Sequence, residues 1–184
     1  MIGGHIPSHV REMTVLQVRS SPRAQCEGIL CLKSGIWRCA LGRAGILARK
    51  CEGDGGTPAG RWRLRQALYR PDRIARPRTA LPVRAIKVND GWCDAPGDRN
   101  YNRLVPLPYN ASAERLWRDD PLYDLVVVLG VNDRPRMRGR GSAIFLHAAR
   151  PGYAPTEGCV ALRQRDLLRV LERCDRHSVV EILI

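Results

Sequence analysis

The chain contains no apolar stretch long enough to cross a bilayer. Its longest, Leu125 to Val131, falls well short of the roughly 20 residues that a spanning helix needs. The residues from Met1 to Val18 lack an uninterrupted apolar run followed by a small-residue cleavage site, so no secretory signal is expected in them. The seven cysteines (Cys26, Cys31, Cys39, Cys51, Cys93, Cys159 and Cys174) form no CxxC pair and no zinc-finger spacing with histidine. A domain of this size holds its fold without disulfide staples, and most of these thiols read as small apolar core residues. No internal repeat, low-complexity tract or linker divides the chain. Lysine is scarce as well: of 31 cationic residues only Lys33, Lys50 and Lys87 are Lys, and 28 are Arg.

What is present is a charge of +13 on 184 residues, 44% of them apolar. That apolar share closes one core and excludes a disordered or collagen-like chain. The charge draws anions, and nucleic acid, anionic wall polymers and lipid headgroups all qualify. Surface composition alone accounts equally well for most of the arginines, whose stems cover apolar surface while their heads stay wet.

Residues 1–13 are polar and aperiodic, and read as a loose tail. Short β-type runs follow at Thr14–Val18, Gly28–Lys33, Ile36–Leu41 and Arg84–Val88. They are separated by turn clusters such as Glu52-Gly-Asp-Gly-Gly-Thr-Pro-Ala-Gly60 and Asp94-Ala-Pro-Gly-Asp98. Tyr69–Pro82, rich in Arg and Pro, is expected to be a surface loop. Ser112–Trp117 is expected to be a short helix, and Leu125–Val131 a strand buried on both faces. Gly141–His147 reads as a second core strand with a polar end, Arg163–Arg176 as one amphipathic helix, and Val179–Ile184 as a returning strand. The predicted fold is mainly β.

Two residues carry chemistry. His147 ends an apolar run, where an imidazole belongs only if the strand emerges at a cleft. Twelve residues on stands Thr156-Glu-Gly-Cys159. A glycine directly before the cysteine permits a tight turn whose N–H groups converge beside the sulfur, as an acyl-transfer oxyanion requires. Cysteine is well suited to attack an amide carbonyl once a neighbour takes its proton, and His147 would be that neighbour. Taken singly, a cysteine at a helix start is usually packing, and a strand-end histidine is usually structural. Trp92, Tyr101 and Asn102 lie in polar turns where they would line a groove, although a large aromatic such as Trp92 serves as readily to cap the core.

His147 followed at short range by Thr-x-Gly-Cys resembles the catalytic motif of L,D-transpeptidases, the YkuD-type domain of bacterial cell-wall enzymes. Glu52–Gly60 resembles that family's Gly-rich Thr-Pro-x-Gly segment, and Gly139–His147 its strand leading to the histidine. The resemblance implies a β-sandwich catalytic domain over 14–184 and a cysteine acyl-enzyme formed at an L-centre carbonyl of a peptidoglycan stem. An amine of a neighbouring stem would receive the acyl group in a 3,3 or 1,3 cross-link. By position Cys159 is the nucleophile and His147 the acid/base. Backbone N–H groups of Gly158 and Cys159 would form the oxyanion hole, and the Ala148 carbonyl would orient the histidine.

No metal or cofactor is implied. The partners would be anionic stem peptides, with neither nucleic acid nor membrane insertion, and the substrate implies the periplasm or cell envelope. Two positions depart from the family pattern: Glu157 stands where a histidine is usual, and Ala161 where an arginine is usual. Arg138, Arg140 or Arg163 would then have to grip the substrate carboxylate in its place.

Two rivals predict different observations. An amidase or carboxypeptidase shares the chemistry up to the acyl-enzyme and gives the acyl group to water. A nucleic-acid binding module calls for clustered basic patches or a recognition helix. The arginines are instead spread along the chain, and the one convincing helix carries Asp166, Glu172 and Asp175. A papain-like order, cysteine well before histidine, is absent.

Overall fold

The computed structural model describes residues 13–184, so the expected tail lies outside the described residues except for Met13. Chain order begins with β1 (Val15–Ser21), β2 (Ala24–Leu32) and β3 (Gly35–Ala40), an antiparallel meander. Two short strands, β4 (Ile46–Leu47) and β5 (Thr57–Pro58), flank the Gly-rich segment, and the ten-residue β6 (Gly60–Tyr69) follows. Next come β7 (Val83–Ala85), β8 (Asp90–Cys93), β9 (Arg103–Pro106), β10 (Ala113–Arg115) and β11 (Leu125–Leu129). The chain ends with β12 (Phe145–Ala148), β13 (Val160–Leu162), helix α1 (Gln164–Leu171) and β14 (Val179–Leu183).

Nine of these strands form one sheet, in the order β11-β12-β13-β3-β2-β1-β14-β6-β7. Because β11 also pairs with β6, the sheet closes on itself and few of its strands are left with a bare edge. One face packs the main core, in which Leu16, Leu30, Val127, Leu146, Val160 and Val180 meet the apolar face of α1. A smaller sheet, β10-β8-β9, lies over the opposite face of β6, β11 and β12. There Trp92 and Leu116 pack with Val126, Val128 and Phe145 in a second core. The structure is therefore mainly β, with two apolar layers. Alternation explains how β11 serves both: Val127 points to the first core, and Val126 and Val128 to the second. No helix among the described residues is long and apolar enough to cross a membrane.

Three sequence expectations change. Ser112–Trp117 contains a strand, β10, rather than a helix, because Glu114 pairs with Trp92 of β8 and tertiary pairing overrides a weak local preference. The second core strand starts at Phe145 instead of Gly141, since Gly141 (φ 93°) and Ala143 (φ 51°) hold left-handed backbone that no strand accommodates. The helix is shorter than expected, eight residues, and ends before the Asp175 turn, where Ser178 Oγ accepts the Asp175 N–H.

Leu146 is fully buried on the central face of β12. Leu146→Ala is expected to cost about 2–5 kcal/mol in urea unfolding with an unchanged m-value.

Candidate active site

The β12 and β13 strands run parallel, with Leu146 opposite Val160 and His147 opposite Ala161. Extending that register back one residue brings Cys159 beside Phe145. Side chains alternate along each strand, so Leu146 and Val160 enter the main core while Phe145, His147, Cys159 and Ala161 share the other face. His147 on β12 and Cys159, immediately before β13, are thus diagonal neighbours. Both line one cavity of about 400 Å³.

The turn before Cys159 is built by Thr156. Its N–H donates to the Leu41 carbonyl (2.9 Å) and its carbonyl accepts from Arg43 N–H (2.9 Å), which fixes the turn against the end of β3. The Thr156 hydroxyl accepts the Gly158 N–H (3.2 Å) and donates to the Cys159 carbonyl (2.6 Å). Gly158 sits at φ 134°, and a Cβ there would fall 2.7 Å from the Gly56 carbonyl oxygen, so only glycine fits. The structure departs here from the expected oxyanion hole: the Gly158 N–H is spent on Thr156, and the Cys159 N–H is the member of the pair left outside that turn.

The Cys159 thiol donates to the Ala143 carbonyl (3.2 Å) and accepts the Phe145 N–H (3.3 Å). His147 Nδ1 lies 2.8 Å from the Ala148 carbonyl oxygen. A carbonyl can only accept, so Nδ1 carries the proton and Nε2 presents its lone pair. The imidazole also meets Tyr123 edge to face, at 5.4 Å between centroids, and the Tyr123 hydroxyl donates to Glu114 (2.6 Å).

Burial dominates the electrostatics. It holds the His147 imidazole down at about 4, against the pull of the Ala148 hydrogen bond, and nearby Arg150 and Arg118 add to the depression. It pushes the Cys159 thiol up to about 12; Glu114 adds to the rise, and the Phe145 N–H and Lys50 oppose it. Burial likewise raises the Glu114 carboxyl, against the Tyr123 hydrogen bond and the Arg118 charge. The resting pair is a neutral thiol and a neutral imidazole, so the proton must move as the sulfur attacks.

The other expected binding residues lie elsewhere. Trp92 and Asn102 are buried behind the cavity instead of lining it: Asn102 Oδ1 accepts from Trp92 Nε1 (2.9 Å) and from Ala143 N–H (3.2 Å). They brace the Ala143 carbonyl that receives the thiol, with Trp92 edge-on to Phe145 at 5.2 Å. Tyr101 donates to Glu52, and its ring faces a neighbouring depression that also holds Arg138. Arg140 lines a further depression with Lys50. Arg163 precedes α1 and lies 5.8 Å from the centre of the Tyr153 ring. None of Arg138, Arg140 and Arg163 reaches the cavity of Cys159.

Its guanidinium groups come instead from Arg118 and Arg150, and its carboxylates include Glu52, Asp94 and Glu114. Arg118 is gripped by Asp120 through two bonds of 2.8 and 2.7 Å. Glu157, where the histidine was expected, pairs with Arg43 at the exposed rim. Sequence reasoning missed Glu114 because it lies in the segment read as a helix, and Arg118 because it follows directly on that segment. Arg150 had one signal, its place three residues after His147 at the end of β12.

A mainly β domain with a histidine on one strand and a cysteine at the entry to its parallel neighbour, both lining a charged cavity, defines the class to which the chain belongs. The YkuD profile, the L,D-transpeptidase catalytic domain, matches residues 33–182, and the chain belongs to that family. Two solved structures are similar: L,D-transpeptidase 3 from Mycobacterium tuberculosis carrying a faropenem-derived adduct (13% identity, TM-score 0.45), and the same protein at 1.32 Å resolution (12% identity, TM-score 0.43). Each match covers 93% of this chain, which spans 61% and 62% of the respective neighbour. A search of curated proteins found no match.

The depressed His147 has a stability consequence whose sign follows from proton uptake. Between its ordinary 6.5 and its native value of about 4, the unfolded chain binds a proton that the native state refuses. His147 therefore lowers native stability as pH falls through that window. His147→Gln is expected to flatten this part of the stability profile in urea titrations at stepped pH, and an unchanged slope would show the imidazole to be open to solvent.

Proposed function

We propose that the Cys159 cavity transfers acyl groups between peptidoglycan stem peptides, which would put the protein to work in the cell envelope. One observation carries this reading: a cysteine and a correctly tautomerised histidine share a sheet face in a cavity lined by two guanidinium groups and several carboxylates. A stem peptide carries carboxylates that fit Arg118 and Arg150. Its amines suit the carboxylates of Glu52, Asp94 and Glu114.

Cys159 Sγ releases its proton to His147 Nε2 and forms a bond to the carbonyl carbon at an L-centre of the stem. The carbonyl π pair moves onto oxygen, and the Cys159 N–H faces the developing charge. As the oxyanion collapses, the C–N bond to the terminal D-alanine breaks and His147 returns the proton to the leaving amine. An amine of a second stem then attacks the thioester. His147 takes its proton and gives it back to the departing sulfur. The Ala148 carbonyl keeps Nδ1 protonated throughout, and Phe145 N–H stabilises the sulfur whenever it is anionic.

Ala161 removes the guanidinium that the family usually places opposite the histidine, and Arg150 is the replacement. It leads out of β12 beside His147, and its guanidinium makes no ion pair among the described residues. A hydrogen bond to a charged group contributes about 1.5–3 kcal/mol, so Arg150→Ala is expected to raise KM about tenfold or more with little change in kcat.

Incubation with disaccharide tetrapeptides, followed by mass spectrometry, is expected to show D-alanine release and a cross-linked dimer with wild type and neither with Cys159→Ala. D-alanine release without dimer would make water the acceptor. The absence of both products from the wild type would refute the proposal.

A further inference from the structure

Among the three lysines, Lys50 occupies a position that neither the fold core nor the cavity lining explains. Its side chain is only 8% exposed, and its ammonium pairs with Asp54 four residues on. A buried ammonium is costly without a partner, so the pair needs a reason to be there. Two glycines make room for it. A Cβ at Gly141, at φ 93°, would fall 2.8 Å from Lys50 Cγ, and a Cβ at Gly158 would fall 3.4 Å from Lys50 Nζ. The stem therefore crosses Gly141, and the charge comes to rest against the turn that precedes Cys159.

Asp54 joins this charge to the Gly-rich segment. Its carboxylate accepts the Cys51 N–H (2.6 Å) and the Gly56 N–H (2.9 Å), and the Gly56 carbonyl oxygen packs against Gly158. The chain uses arginine for 28 of its 31 cations, yet this position carries lysine. An ammonium on an unbranched stem fits between two glycines, where a planar guanidinium fork is too wide. Among the groups around Cys159, Glu114 on β10 and Glu157 in its own turn disfavour a negative sulfur, Tyr123 and His147 are neutral, Phe145 contributes one N–H, and Arg118 and Arg150 stand in the cavity lining, Arg118 already held by Asp120. Lys50 is the cation on the side of the Gly158 turn.

We propose that Lys50 is a positioning residue of the acyl-transfer site: anchored by Asp54 and seated between Gly141 and Gly158, it holds the turn before Cys159 and maintains a fixed positive charge behind the sulfur. It does not line the cavity, so it acts through Gly158 and through the field it places on Cys159 as thiolate and oxyanion form. The consequence for turnover rests on the acyl-transfer reading, whereas the effect on the thiol does not.

The test is therefore made first without peptidoglycan. Alkylation by iodoacetamide is followed at the Cys159 peptide by mass spectrometry, at about pH 8, where the rate tracks the small thiolate fraction. Lys50→Met keeps the length and apolar body of the stem and removes the charge. Its alkylation rate is expected to fall about tenfold, the equivalent of one pH unit in the thiol's titration. Asp54→Asn leaves the ammonium uncompensated, and its rate is expected to rise. Mere loosening of the turn would open the sulfur to reagent and raise the rate in Lys50→Met as well, so an unchanged or raised rate there overturns the proposal. If Lys50→Met does not fold by circular dichroism, Asp54→Asn decides, and an unchanged or slower rate sinks it. With tetrapeptide substrate, Lys50→Met is expected to lose kcat about tenfold and to keep KM within about twofold. A wild type that alkylates as described but releases no D-alanine would refute the acyl-transfer function and leave the role of Lys50 in the thiol's chemistry standing.

Discussion

The parallel pairing of β12 with β13 is the constraint on which the rest of the site depends. It sets Leu146 against Val160 in the main core and, by the same alternation, turns His147 and Cys159 to the opposite face. A slip of one residue would bury the imidazole among leucines and valines and point the thiol away from the cavity. The register is held by apolar burial on the far side: Leu146, Val160 and Leu162 are fully buried. The chemistry is therefore positioned by side chains that never touch it.

Around that pair the protein has assembled a low-dielectric pocket at a cost to both of its reactive groups. Burial favours neutral thiol and neutral imidazole, which keeps the sulfur protonated at rest. Backbone groups then act in place of charged ones. Ala148 fixes the tautomer, Ala143 holds the thiol proton, and Phe145 offers an N–H to the sulfur. These depend in turn on a buried scaffold of Asn102, Trp92 and Tyr123, whose rings meet Phe145 and His147 edge to face. Residues that look like groove lining in the sequence have their role one layer further back.

The charge of +13 also divides on closer view. Arg70, buried and bonded to Asp72 while stacked 3.8 Å from the centre of the Trp117 ring, is structural, and Arg73 ties Asp124 to the backbone of 119–120. Arg43 and Arg38 pair with acids at the surface, where such pairs contribute little. Among the arginines of the described residues, only Arg118 and Arg150 line the cavity of Cys159. Composition is compatible with an anionic partner, but no count of arginines could say which two would line the cavity beside Cys159.

Local sequence determined much. Short β-type runs marked about half of the strands and missed the ten-residue β6, the β-branched run at 125–131 marked a strand buried on both sides, and one amphipathic stretch marked α1. The resemblance around His147 and Thr156–Cys159 named the family, because a glycine that must sit at positive φ before a cysteine leaves a short, readable trace. What the tertiary structure alone decided are the partners drawn from far along the chain. β10 became a strand through pairing with β8, Gly158 turned its N–H to Thr156, and Arg118, Arg150 and Lys50 were brought toward Cys159 from three separate segments. Such choices rest on contacts between residues as far apart in the chain as Lys50 and Gly158, and no local preference of the chain encodes them.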